Sequence, residues 1–245
     1  MSLEALLRNP TFDDFLALRD SKQGSACRVP VVQTLPADSL TPVAAYLRLR
    51  DQSSHSFLFE SIEGGEHLAR YSFVGFRPSL LLRVWPDRTE LEGLLATRAG
   101  EVEHPEGNPL NLLRSITSRA PLVDVPGLPR FLGGAVGFFS YDSVRLIEDV
   151  PRRNPDPLDT PDINLAFHDR LLAFDHLRAL VHLVRIVELH GDESSAQARA
   201  LWDEARADLT DLEQQLRLPL PQKADSESGR SASTCLLYTS PSPRD

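Results

Sequence analysis

Cysteine is scarce in this 245-residue chain: Cys27 and Cys235 lie far apart and match no metal-binding or redox spacing. That excludes a thiol-based site and leaves Cys27 to serve as a small apolar residue in a reducing compartment. A surplus of positive charge is missing too. The formal net charge is -9, with acidic and basic residues interspersed, so no basic face exists to neutralise a phosphate backbone, which argues against nucleic acid as a partner. Nowhere do 18 apolar residues run together, and the start MSLEALLRNPTFDD lacks the cationic and apolar regions of an export signal. A cytoplasmic location without a membrane partner is expected.

Several catalytic patterns are also absent. The seven histidines form no H-x-x-x-H or H-E-x-x-H pair, no serine sits in a G-x-S-x-G elbow, and Gly133, Gly134 and Gly137 lack the Lys-Ser/Thr of a phosphate loop. His168, His176 and His182 are expected at the surface or in a hairpin. Glu148-Asp149, before Pro151, reads as a solvated corner rather than a pair of acids for catalysis. The three glycines read as a strand against which another backbone packs closely.

What is present is a hydrophobic content of 41%, ordinary for a folded protein, on a length suited to one large domain or two small ones. Helices are expected over Thr11–Leu18, over Thr41–Leu49 with Pro at the first helical position, after Asn108-Pro109, and over Ser194–Leu216, where Ala198, Leu201, Trp202, Ala205, Leu209, Leu212 and Leu216 recur at three- and four-residue steps. Strands are expected at VPVVQTLP, at SFLFES, ARYSFVGF and SLLLRVW as an antiparallel meander, and at FLGGAVGFFS. Asp142 is expected to cap a short helix ending at Pro151. The run INLAFHDRLLAFDHLRALVHLVRIVEL reads as two long strands about a turn near Asp175 to Arg178, apolar on both faces and therefore covered on both. From residue 219 to 245 the composition is that of a disordered tail, and its final stretch, CLLYTSPSPRD, has the look of a sequencing or vector artefact.

One stretch raises a chemical question. In SFLFESIEGGEHLARYSFVG an apolar strand ends on Glu60 and Ser61. A carboxylate there is costly unless a cation meets it, and a neighbouring hydroxyl both donates and accepts. Such a pair suits the ammonium and carboxylate of a free amino acid; it equally suits a plain ion pair of Glu60 with Arg70 or Arg77.

The same stretch carries a resemblance. Phe57-Leu58-Phe59-Glu60-Ser61, Glu63-Gly64-Gly65-Glu66, Arg70-Tyr71-Ser72-Phe73-Val74-Gly75, Gly133 to Phe138, Tyr141-Asp142, Arg145 and Pro161-Asp162-Ile163 resemble the N-terminal half of anthranilate synthase component I, a chorismate-utilising family, over roughly residues 10 to 217. The resemblance implies an α+β fold over residues 1–218, with antiparallel strands forming part of an orthogonal β-sandwich flanked by helices. It implies a feedback site for L-tryptophan at Ser61 and Glu60, with Arg70, Tyr71 and Ser72 as further candidates, and no catalytic residues in this half. The catalytic C-terminal half, with its Mg²⁺ carboxylates, would lie beyond; no cofactor is expected in this chain, which should be inactive alone. A glutamine amidotransferase subunit is the implied partner. The large subunit of aminodeoxychorismate synthase and a non-catalytic amino-acid-binding module are the alternatives.

Overall fold

A computed structural model of the chain describes residues 10–22, 24–50, 55–60, 70–93, 108–118, 120–151 and 158–220. Ser61, the Glu63–Glu66 block and the tail with Cys235 lie outside the described residues. In chain order the elements are α1 (Phe12–Asp20), β1 (Cys27–Pro36), α2 (Pro42–Leu49), β2 (Phe57–Phe59), β3 (Tyr71–Gly75), β4 (Leu80–Val84), β5 (Thr89–Glu92), α3 (Pro109–Ser118), β6 (Gly134–Phe139), a 3₁₀ segment (Tyr141–Leu146), β7 (Ile163–His168), β8 (Arg170–Asp175), β9 (Leu180–Leu189) and α4 (Ser195–Arg217). The fold is mixed, with helices set against antiparallel sheets. No helix among the described residues is long and apolar enough to cross a membrane.

The helix starts follow the side-chain chemistry of their caps. Thr11 accepts from the backbone of Asp14 while the Asp14 carboxylate takes the Thr11 N–H at 2.9 Å, and Ser194 and Gln197 form the same reciprocal box. Each such box satisfies donors that the first helical turn cannot. Thr41 caps α2 through the Ala44 N–H at 3.1 Å.

The strands form two antiparallel sheets, one ordered β1-β9-β8-β3-β2 and one ordered β5-β4-β7-β6. One face of the five-stranded sheet packs against α1, α2 and α4, with Phe15, Trp202, Leu183, Leu172 and Leu209 in the core. The Phe15 and Trp202 rings lie 5.3 Å apart. The opposite face buries Val32, Leu171, Ala173 and Val184 under Phe131 and Leu132. The four-stranded sheet packs its own core, Leu82, Ile163 and Leu165, against Leu112 of α3. A Cβ on Gly137 would fall 1.9 Å from the Asn164 carbonyl oxygen, so the close approach of β6 to β7 requires glycine there.

Four expectations need correcting. The segments SFLFES, ARYSFVGF and SLLLRVW do not make one meander: β2 and β3 pair in the first sheet, whereas β4 pairs with β5 and β7 in the second. The run from Ile163 to Leu189 is three strands rather than two, because the chain turns at Asp169 and passes from the second sheet into the first. Asp142 lies inside the 3₁₀ segment, and the residue at its N-cap is Ser140. His168 and His182 are 3% and 0% exposed, so both belong to the interior; only His176 sits in the hairpin turn at the surface.

Candidate functional site

The candidate residues converge on one end of the five-stranded sheet. β2 is an edge strand, paired Phe57 to Gly75 and Phe59 to Phe73, and Glu60 follows its last paired residue with an exposed side chain. Glu60 makes no ion pair among the described residues, so the pairing with Arg70 or Arg77 is not what the fold uses. Phe59, Tyr71 and Phe73 share a face by strand alternation. The Tyr71 and Phe73 rings are 6.2 Å apart, and Phe73 meets Phe131 edge-on at 5.2 Å, which gives this end an aromatic wall.

Ser72 points the other way. It is 1% exposed, and its hydroxyl lies 2.7 Å from His176 Nε2. The backbone thus brings Arg70 and Tyr71 together with Phe59 and sets the Ser72 hydroxyl on the face of Val74.

The polar centre of this end is Asp175, the last residue of β8 and the register partner of Tyr71. Its side chain is 0% exposed, and Arg70 meets it side-on: Nη2 donates to Oδ2 at 2.9 Å and Nε to Oδ1 at 3.4 Å. The Arg178 backbone N–H adds a third donor at 3.2 Å. Burial pushes the Asp175 carboxyl up, but the hydrogen bonds and charge of Arg70 and Arg178 outweigh it and hold the group below the usual carboxylate range. The Arg70 guanidinium also lies over the Tyr71 ring at 4.8 Å. Burial, then the nearby Asp175 charge, raise the Tyr71 phenol above its ordinary value.

Below this layer His182 Nδ1 lies 2.9 Å from Thr34 Oγ1, while its Nε2 is buried with no partner among the described residues. Burial lowers its pKa, so it is held neutral. A separate cavity of about 420 Å³, lined among others by Arg28, Phe167, His168, Asp169, Ile186 and Glu188, opens at the other end of the same sheet. None of the candidate residues faces it.

The chain matches proteins of one kind. It is 37% identical to anthranilate synthase component 1 of Pseudomonas putida over 211 residues, covering 84% of this chain and 40% of that protein. It is 35% identical to the component 1 of Acetivibrio thermocellus over 173 residues, which is 71% of this chain and 34% of that one. Against the component 1 of Synechocystis sp. it is 34% identical over 217 residues, or 88% and 41%. The chain belongs to the anthranilate synthase component I family. It corresponds to an N-terminal portion and spans between 34% and 41% of the length of these three relatives. A crystal structure of anthranilate synthase component I from Streptococcus pneumoniae aligns with a TM-score of 0.48 and 22% identity, over 76% of this chain and 37% of that one. No family model matches.

In this component I chain, three residues of the candidate site, Asp175, His176 and Arg178, are read from the sequence only as hairpin residues and not as part of a site. The signal was available in LLAFDH, an apolar strand ending on an acid, the same pattern that drew attention to Glu60. Among the described residues no group of three or more His, Cys, Asp and Glu side chains is gathered to hold a metal.

Proposed function

We propose that this chain is the regulatory portion of an anthranilate synthase component I, the cytoplasmic enzyme that forms anthranilate and pyruvate from chorismate and an amino-group donor. The Arg70 end of the five-stranded sheet is its receptor for L-tryptophan. The observation that carries this reading is the 37% identity over 84% of the chain to a protein named anthranilate synthase component 1. The geometry at the sheet end agrees with it: a guanidinium stacked on a tyrosine at the rim of an aromatic wall offers a carboxylate its donor and an indole its apolar surface. Burying an indole of ~200 Å² at ~25 cal/mol per Å² contributes about 5 kcal/mol before ordering costs. The polar groups therefore select the amino acid more than they attract it.

On this reading Ser61 and Glu60 face the effector's polar end, Arg70 receives its carboxylate and Tyr71 lies beside the ring, while Ser72 acts from the opposite face by fixing β3. The two sheets form part of an orthogonal sandwich completed by the remainder of the protein, which supplies the chorismate pocket and the Mg²⁺ carboxylates. Ammonia comes from a glutamine amidotransferase subunit. Feedback inhibition is a coupling free energy between two sites, so the chain by itself binds tryptophan but turns over no chorismate.

Calorimetric titration with L-tryptophan tests the reading. Saturable binding is expected, weakened about tenfold or more by Ser61→Ala, which leaves the effector's polar group unpaired at about 1–3 kcal/mol. A chain that takes up no tryptophan, or binds phenylalanine and leucine as tightly, overturns it. Anthranilate formation from chorismate and ammonia by the chain alone would overturn the division of labour.

A further inference from the structure

Arg70 and Asp175 stand 105 residues apart in sequence and join at one point of the fold. Asp175 is wholly buried, whereas the Arg70 side chain is 40% exposed, so the pair is an interior acid holding a surface base. Contact runs through Nε and Nη2, which leaves Nη1 without a partner among the described residues. The Tyr71 ring at 4.8 Å limits the tilt of the guanidinium plane. The acid itself does not move easily. The turn after Asp175 is tied to β3 by the His176 N–H donating to the Arg70 carbonyl at 2.9 Å and by His176 Nε2 against Ser72 Oγ at 2.7 Å. A flexible arginine would lose rotamer freedom on meeting a ligand; one already locked in a fork geometry loses little.

We propose that Asp175 is a positioning residue for effector binding: it fixes Arg70 so that the Nη1 edge of the guanidinium faces the incoming carboxylate. The proposal rests on the reading of this sheet end as an amino-acid receptor. Asp175 touches no ligand and acts only through Arg70. The geometry also restricts the ligand class, because a fixed edge of N–H donors suits the two oxygens of a planar carboxylate, repels an ammonium, and offers a neutral alcohol oxygen only a single, weaker bond at the same position.

The test is a double-mutant cycle read by titration of the whole chain with L-tryptophan, using Asp175→Asn, Arg70→Gln and the two together. Asp175→Asn keeps the shape of the side chain and is expected to raise the Kd about tenfold, the loss typical of a charge-assisted contact. Arg70→Gln is expected to lose at least as much, and the double variant no more than Arg70→Gln alone. Independent, multiplying losses overturn the proposal, as does wild-type affinity in Asp175→Asn. Arg70→Lys keeps a cation beside the buried acid, and with it the fold, but cannot be held as a fork; it is expected to lose about tenfold as well, and unchanged binding in it also overturns the proposal. A wild-type chain that binds no tryptophan removes the receptor reading and this inference together. Wild-type binding with an unaffected Asp175→Asn removes the inference alone.

Discussion

β9 and β6 are both apolar strands, yet the fold treats them oppositely. β9 lies inside the five-stranded sheet between β1 and β8, with α4 on one face and the Phe131–Leu132 segment on the other, and its side chains from Val181 to Val184 are all buried. β6 lies at the edge of the other sheet and buries none of its residues; Phe138 and Phe139 are 43% and 51% exposed, and Tyr141 just beyond is 93% exposed. Composition alone does not decide burial. What covers the strand does, and an exposed aromatic edge is a surface that soluble domains rarely leave open without a partner.

The sharpest way to break this comparison is to shorten one apolar side chain in each strand. Leu183→Ala in β9 is expected to destabilise the chain by about 2–5 kcal/mol, through lost transfer energy and the cavity left behind. Phe138→Ser in β6 is expected to shift stability by no more than about 0.5 kcal/mol and to reduce the binding of a dye that reports exposed apolar surface. Urea unfolding and dye fluorescence read the two effects; equal losses at both positions would remove the distinction.

A smaller effect separates the interiors by charge. His168 and His182 are buried and their pKa values are lowered by burial, whereas in the unfolded chain both titrate near 6.5. The unfolded state therefore binds more protons below that pH. Their contribution is present above about pH 6.5 and is lost as the pH falls toward the depressed folded values, at up to about 1.4 kcal/mol per pH unit for each histidine. Asp175 adds a further loss at lower pH: its folded pKa is depressed, so its stabilisation is present above about pH 4 and disappears as the pH falls through the folded value. Unfolding midpoints at pH 7 and pH 5 should differ in the wild type and differ less in His182→Gln. A modest effect is expected at a helix cap, where Ser194→Ala removes the box at the start of α4 for about 1 kcal/mol, measured in the same unfolding experiment.

The helices were legible because their signals are local. Thr11, Thr41, Asn108 and Ser194 stand one residue before the first helical turn, and the apolar spacing of α4 places Ala198, Trp202, Ala205, Leu209, Leu212 and Leu216 in the core, as the helical period requires. Strand existence was legible for the same reason; strand partners were not. Nothing near Gly75 in the sequence says that the chain leaves one sheet before Leu80 and joins another, because the pairing of β4 is decided by β7, some eighty residues later. β5, a mixed polar segment at Thr89–Glu92, carries no apolar alternation and went unrecognised.

The site divides along the same line. Arg70 and Tyr71 could be named from a short motif, but the acid that holds Arg70 comes from a distant hairpin. The question posed by a buried strand that ends on a charge finds its structural answer at Asp175, where an arginine meets the carboxylate, while Glu60 at the end of β2 remains exposed.

Asp169 is the one residue between β7 and β8, so the last strand residue of one sheet and the first of the other are two peptide bonds apart. Its carbonyl takes the Ile186 N–H at 2.7 Å, and its carboxylate is gripped by Arg185. Such a joint has no slack. Six residues of β8, about 20 Å of extended chain, run from this joint to Asp175, so the buried acid and the second sheet are joined by a single unbroken strand.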